Sequence, residues 1–457
     1  MDIGVIGLGV MGENLIENIL SRGYTVGIYN RTAHKTHTFI KRLGTEAARG
    51  FESLHEMVSS LKSPRVILIM VKAGEAIDQF MKTLLEQIEP KDVVIDGGNS
   101  NYHDTVRRCA LYEGKCLFIG CGISGGEEGA RNGPSIMPGG HADGWPVVSE
   151  LLQSISAIGV NNKPCCNWIG ASGSGHLVKT VHNGIEYAEM QILSDFYQIF
   201  RGELQPDKIR SIFESWRSEG SNGFLIDAAV DILQKKENGQ HIIDLIVDKS
   251  EQKGTGKWTA IESINENVCA PVIVEAVNAR ILSGKKSERV LSSGILPSGA
   301  DVAESILDVI TIDDMRKGFM LCRAISYIQG LNLIKTISDQ NTWNISLKLL
   351  CEVWSNGCII RSDFLKTLSR ISESEVLFSS AEFIEIASEG IAPLRQIVAR
   401  AVQMGISIPC ITSALSHYDA LRTKESSGNM IQALRDYFGA HTLQLSGSSE
   451  YMHITWK

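Results

Sequence analysis

The sequence predicts a doubly wound α/β domain with a mostly parallel sheet, followed by a large all-α domain and a short C-terminal tail. Three observations predict it. Residues 1–175 alternate short apolar runs with amphipathic stretches, the pattern of βαβ units around a sheet buried on both faces. From residue 176 to about 438 the apolar periodicity is almost wholly helical. Of the 43 glycines, 25 fall in residues 1–175, so that part needs tight turns or close backbone approach. The chain is therefore divided into 1–175, 176–438 and a tail, 439–457.

Strands are expected at 3–6, 25–29, 66–71, 93–95 and 117–119, each a short apolar run bounded by glycine or polar residues. Amphipathic stretches such as 11–20 and 77–88 supply the intervening helices. The helical part contains an echo. Glu214-Ser215-Trp216 precedes Asn222-Gly223-Phe224-Leu225-Ile226, and Glu352-Val353-Trp354 precedes Asn356-Gly357-Cys358-Ile359-Ile360. This hints at a duplicated helical unit. The tail ends in Tyr451-Met452-His453-Ile454-Thr455-Trp456-Lys457, too apolar and aromatic for a free end, so it is expected to dock.

Composition excludes several function classes. The net charge is −8 over 457 residues with no Lys/Arg run, which argues against a general nucleic-acid binder. A local cationic pocket for a small anion remains compatible with that balance. The longest strongly apolar run, 66–71, is far below the roughly 18 residues of a transmembrane helix. The N-terminus starts on a strand-like run without a basic region or cleavage site, so a cytoplasmic protein is expected. Ten cysteines without a C-x-x-C pair read as reduced, mostly buried thiols.

Gly7-Leu8-Gly9-Val10-Met11-Gly12 matches G-x-G-x-x-G between a strand and an amphipathic helix, the context of a Rossmann dinucleotide site. The first glycine permits the turn, the second admits the pyrophosphate, and the third lets helix and strand pack closely. The second strand ends at Asn30-Arg31-Thr32, where NAD sites commonly carry an acid for the ribose 2′-OH. Donors and a positive charge there favour NADP. Lys72, in Val71-Lys72-Ala73, adds to that cationic pocket.

Asp96-Gly97-Gly98-Asn99-Ser100 and Gly122-Ile123-Ser124-Gly125-Gly126 follow the last two strand candidates, where doubly wound sheets bind ligands. Exposed backbone N–H groups and the Ser124 hydroxyl suit a carboxylate. Beyond Gly173-Ser174-Gly175, the residues Lys179, His182, Asn183, Glu186 and Tyr187 share one helical face. That face combines an ammonium, an imidazole, an amide, a carboxyl and a phenol. His176 and His182 lie on different faces, so no metal is expected between them. Lys253-Gly254-Thr255-Gly256-Lys257 places cations and a hydroxyl between glycines, which suits a phosphate. Arg280 and Arg435 stand alone and read as surface charge.

Together these segments resemble the decarboxylating 6-phosphogluconate dehydrogenases over nearly the whole chain. The resemblance extends through Gly133-Pro134-Ser135-Ile136-Met137-Pro138-Gly139-Gly140 and Arg435-Asp436-Tyr437-Phe438-Gly439-Ala440-His441. It implies oxidation of 6-phospho-D-gluconate by NADP to ribulose 5-phosphate and carbon dioxide, without a metal, in the pentose phosphate pathway. It implies Lys179 as general base and Glu186 as general acid. Ser124, Gly125, Gly126, Asn99, His182 and Asn183 would hold the carboxylate and hydroxyls. Tyr187, Lys253, Thr255 and Arg280 would hold the phosphate. Leu8, Val10, Met11, Val71, Ala73 and Asn99 would join the coenzyme contacts. Arg435 and His441 would reach the site from the partner subunit of a homodimer, with the tail docking across the interface.

A lysine must drop about 3 units, roughly 4 kcal/mol, to serve as a base near neutrality. The positive helix N-terminus and neighbouring lysines are expected to push Lys179 that way. Glu186 needs the opposite shift beside an anionic substrate. The chain departs from the family at Cys121, often serine, at Trp354-Ser355-Asn356-Gly357, usually Trp-Arg-Gly-Gly, and in its short tail after Thr442. Two rival readings stand beside this one. A non-decarboxylating β-hydroxyacid dehydrogenase would leave Lys253, Arg280 and Arg435 unpaired. A catalytically silent NADP-binding protein would have no use for Lys179 and Glu186.

Overall fold

Strands β1 (Ile3–Ile6), β2 (Val26–Tyr29), β3 (Ala48–Phe51), β4 (Val66–Ile69), β5 (Val93–Asp96), β6 (Leu117–Ser124), β7 (Ser135–Gly140) and β8 (Gly170–Ala171) build one sheet. Its order is β3-β2-β1-β4-β5-β6-β7-β8 in the computed structural model, which describes residues 1–297 and 305–457. All neighbours run parallel except β6 and β7. The order reverses between β1 and β4, which opens a crevice beyond their carboxyl ends, the place where such sheets take ligands.

The five expected strands are present, and three more join them. Arg49 and Gly50 interrupt the apolar pattern of edge strand β3. Pro138, Gly139 and Gly140 make β7 read as a loop. Pairing of β7 to β6, through Ser124↔Ser135, also corrects the assignment of Gly122 to Ser124: they are strand, not loop. Gly126–Asn132 is then a short helix. Lys72 consequently follows the fourth strand, not the third as the five expected strands would place it.

Helix Ser174–Arg201 is the shared spine of the molecule. It lies against β6 and β7 on one side and against Thr255–Asn265, Pro271–Ser283 and Ile312–Asn341 on others. Leu177, Val181, Ile185, Ala188 and Ile192 are wholly buried. Each large apolar side chain contributes about 1.5–3 kcal/mol by leaving water, which offsets the desolvation of the polar groups on the same helix. Two glycines make the close approach possible. A Cβ on Gly175 would stand 2.2 Å from the Gly120 carbonyl oxygen, and one on Gly122 would stand 2.4 Å from Lys179 Cβ.

Trp216 and Trp354 of the sequence echo are both fully buried, and each ends a helix that follows one of the two longest helices, Ser174–Arg201 and Ile312–Asn341. Those long helices are joined by a buried ion pair, Arg323 Nη2 to Glu189 Oε1 at 2.9 Å, with Tyr327 OH donating to Glu189 Oε2 at 2.6 Å. Nine of the ten free cysteines are buried; Cys269 is exposed. Among the described residues no helix is long and apolar enough to cross a membrane.

Candidate active site

The glycine loop after β1 shows three distinct constraints. Gly7 has φ +108°, and a Cβ there would meet the Met70 carbonyl oxygen at 2.4 Å. A Cβ on Gly12 would meet the Gly7 carbonyl oxygen at 2.3 Å, whereas one on Gly9 would meet nothing within 4 Å. The open side at Gly9 therefore faces the crevice, as a pyrophosphate seat requires. Asn30 braces the loop: its Oδ1 accepts from Leu8 N–H at 3.1 Å, and its Nδ2 donates to the Thr32 carbonyl at 3.2 Å. Arg31, Thr32 and Lys72 stand exposed at the ends of β2 and β4, with Val10 exposed and Met11, Val71 and Ala73 half-buried around them. Asn99 is exposed at the end of β5.

The polar face of Ser174–Arg201 is not solvated. Lys179, His182, Asn183 and Tyr187 are all less than 9% exposed, because the sheet on one side and other helices on the other cover the helix. Lys179 Nζ donates to Asn183 Oδ1 at 2.9 Å and lies 3.5 Å from His182 Nδ1. His182 Nε2 is 3.2 Å from Ser124 Oγ, and its Nδ1 is 3.7 Å from Glu186 Oε2. Asn183 Nδ2 donates to Thr255 Oγ1 at 3.0 Å. Amine, imidazole, carboxyl and the Ser124 and Thr255 hydroxyls thus converge on two turns of helix.

Burial pushes the Lys179 ammonium below the usual lysine range, against the pull of Glu186 and Cys358. Desolvation, which the sequence did not announce, is the largest cause of that shift. Burial likewise pushes the Glu186 carboxyl up, against Lys179 and Arg280. His182 falls well below its ordinary range through burial and the nearby Lys179. Burial thus moves the amine and the carboxyl in opposite directions, each towards its neutral form.

At the far end of this face, Arg280 stacks on Tyr187, its Cζ 3.4 Å from the ring centroid. Thr255 is buried at the start of Thr255–Asn265, while Lys253 is exposed just before it. The turn after Trp354 closes the opposite wall. Trp354 meets His182 edge to face at 5.7 Å, and the Gly357 carbonyl accepts from Ser135 N–H at 2.8 Å. A Cβ on Gly125 would lie 2.6 Å from that same carbonyl oxygen. Trp354, Gly357 and Cys358 were not among the expected site residues; the departure from Trp-Arg-Gly-Gly was the one sign in the sequence. Cys121 is fully buried under the site, its thiol pushed up by burial.

A cavity of about 810 Å³ beside this turn is lined by Asn222, Ser355, Arg361 and Asp363 among others. None of Lys179, His182 or Glu186 lines it. The perturbed groups identify the site better than volume does. Among the described residues no group of three His, Cys, Asp or Glu is placed to hold a metal ion.

Residues 2–170 match the NAD binding domain of 6-phosphogluconate dehydrogenase, and residues 175–456 match the 6-phosphogluconate dehydrogenase C-terminal domain. The chain belongs to the 6-phosphogluconate dehydrogenase family. It is 43% identical to the decarboxylating 6-phosphogluconate dehydrogenase of Ceratitis capitata over 465 residues, covering 100% of this chain and 96% of the relative. With that of Chlamydia trachomatis serovar D it shares 42%, covering 100% of this chain and 97% of the relative. The Plasmodium falciparum 6-phosphogluconate dehydrogenase, solved alone, with NADP+ and with 6-phosphogluconate, superposes with a TM-score of 0.95 at 36% identity and covers both chains fully.

Two family-implied residues, Arg435 and His441, do not join this cluster through the contacts they make. Arg435 donates to Gln432 Oε1 at 3.0 Å, and His441 packs edge to face on Phe438 at 6.0 Å. The tail docks on its own chain. Asp436 is buried, and it accepts from Ile454 N–H at 3.0 Å and from Trp456 Nε1 at 2.9 Å, with His453 Nδ1 at 3.0 Å. Burial opposes the Asp436 charge, but these partners hold its carboxyl down, to about 2. A depressed carboxyl contributes stability above its ordinary value of 3.8, and loses it as the pH falls towards 2. Asp436→Ala should release residues 440–457 to limited proteolysis; equal protease resistance in variant and wild type would contradict the anchor.

Proposed function

We propose that this chain oxidises 6-phospho-D-gluconate with NADP and decarboxylates the product to D-ribulose 5-phosphate, a step of the pentose phosphate pathway and of gluconate utilisation. The observation that carries the reading is the pair of buried Lys179 and half-buried Glu186, two turns apart on one helix, with opposite pKa shifts towards neutral forms. Gly7 to Gly12 would seat the coenzyme pyrophosphate, with Asn30, Arg31, Thr32 and Lys72 around the 2′-phosphate and Val71, Ala73 and Asn99 along the path to the nicotinamide. NADP, when bound, accepts a hydride from C3. Neutral Lys179 takes the C3 hydroxyl proton and, once protonated, polarises the new C3 carbonyl. Loss of the C1 carboxylate as carbon dioxide then leaves an enediol. Glu186, its carboxyl raised by burial, then protonates the enediol carbon that had carried the carboxylate. Ser124, Gly125, Gly126, His182 and Asn183 hold the carboxylate and hydroxyls; Tyr187, Lys253, Thr255 and Arg280 hold the phosphate.

We also assign the active unit as a homodimer, with Arg435 and His441 completing the partner's phosphate site. Helix Gly428–Gly439 supports this. It buries Asp436 alone and leaves Met430, Ile431, Leu434, Tyr437 and Phe438 at least 50% exposed along one side. Ten free thiols fit a reducing compartment, and we place the enzyme in the cytoplasm. Residues 1–175 would serve as the coenzyme domain, 176–438 as the substrate and dimerisation domain built on a duplicated unit, and 439–457 as a tail folded on Asp436 of its own chain and carried with that helix to the partner subunit.

Two assays test this reading. NADP reduction should be fast with 6-phosphogluconate and negligible with an unphosphorylated β-hydroxy acid; the reverse order would favour the non-decarboxylating alternative. Arg31→Asp should lower kcat/KM for NADP by about a hundredfold, since a charge-assisted pair is replaced by repulsion, while NAD turnover changes far less. An unchanged coenzyme preference would contradict the role of Arg31.

A further inference from the structure

Glu262 has no part in the proposed chemistry, yet it is 6% exposed and sits between the two domains. Thr255, Thr259 and Glu262 share one face of Thr255–Asn265, at i, i+4 and i+7. That face makes three polar contacts in succession. Thr255 Oγ1 accepts from Asn183 Nδ2 at 3.0 Å, and Thr259 Oγ1 donates to the Thr180 carbonyl at 2.8 Å. The third leaves the helical domain: Glu262 Oε2 accepts from Tyr102 OH at 3.0 Å, and Oε1 lies 3.1 Å from His103 Nε2.

Tyr102 and His103 open the helix Tyr102–Tyr112, directly after the loop that carries Asn99. Their rings lie 4.0 Å apart, and Tyr102 also meets Trp343 edge to face at 6.1 Å. The Tyr102 carbonyl oxygen would stand 2.7 Å from a Cβ on Gly173, where the spine helix begins. A nearly buried carboxylate must find donors or suffer the full cost of desolvation. Here both side-chain partners belong to the coenzyme domain, so Glu262 is satisfied in one relative position of the two domains. The same helix presents Thr255 to the phosphate end of the site and Glu262 to the root of the nicotinamide-side loop.

We infer that Glu262, Tyr102 and His103 form an interdomain latch that sets the distance between the Asn99 loop and the phosphate-binding end of Thr255–Asn265. Glu262 is a positioning residue, and the inference rests on the proposed reaction, in which one substrate spans that distance. Misplacing reacting groups by about 1 Å can cost on the order of a hundredfold in rate.

Glu262→Ala should therefore lower kcat/KM for 6-phosphogluconate by about tenfold or more, with a smaller effect on KM for NADP, because the glycine loop that would seat the pyrophosphate lies elsewhere. Glu262→Gln should recover most of the loss, since its amide oxygen still accepts from Tyr102. Combined with His103→Ala, Glu262→Ala should lose no more than it does alone, the signature of one shared interaction. Hydrogen exchange supplies a readout independent of turnover: amides at 99–106 should exchange faster in Glu262→Ala than in wild type. Unchanged kcat/KM, or unchanged exchange at 99–106, would overturn the latch. A wild-type enzyme without turnover would instead refute the proposed reaction, and the exchange comparison would still decide the latch.

Discussion

Lys179→Ala should lower kcat by about 10²–10⁴-fold, the usual contribution of a positioned general base, with NADP affinity within about twofold. The separation of effects follows from geometry. Lys179 sits on the spine helix beneath β6, whereas the glycine loop follows β1 across the crevice. In the wild type, kcat/KM should rise with pH as Lys179 loses its proton, at a pH below the usual lysine range because burial disfavours the ammonium. That acidic limb should vanish in the variant. Lys179→Met keeps the apolar stem packed against Gly122 and separates lost chemistry from lost packing. Near-normal turnover by either variant would show that another group takes the proton.

Glu186→Gln should leave hydride transfer largely intact and slow ribulose 5-phosphate formation by about 10²–10⁴-fold. The amide keeps the size of the side chain but has no proton to deliver. Burial raises the Glu186 carboxyl, so the wild type holds its proton to a higher pH than an ordinary carboxyl. Activity should fall as the pH passes through that raised value, and the alkaline limb should be absent in Glu186→Gln. Equal rates of product formation in variant and wild type would remove Glu186 from the mechanism. The two limbs together follow from one cause, the dry helix face that favours both neutral forms.

The parts of this site most legible in the sequence were those where backbone geometry dictates residue type. Gly7 and Gly12 are closed to a Cβ and Gly9 is open, and the G-x-G-x-x-G spacing announces all three. The i, i+3, i+4, i+7 pattern also placed Lys179, His182, Asn183 and Glu186 on one face without any tertiary information. Depth of burial was not legible. Periodicity reports which residues share a face, and a polar face normally meets water; only packing of the coenzyme domain against the spine reveals that this one is dry. Desolvation, the largest cause of the Lys179 shift, was missing from the sequence reading for that reason. Strands β3 and β7 escaped because Arg49, Gly50 and Pro138 break the apolar runs that mark strands. The wall formed by Trp354 and Gly357, and the pairing of Glu262 with Tyr102 and His103, join segments more than 150 residues apart. Local pattern carries no signal for such contacts.

The most direct test is the stoichiometry of products from 6-phosphogluconate labelled at C1. With excess NADP, the account predicts equal amounts of NADPH and labelled carbon dioxide, with ribulose 5-phosphate as the remaining product. NADPH formed while the label stays on the sugar acid would contradict it, because a C3 ketone held against Lys179 must lose its carboxylate.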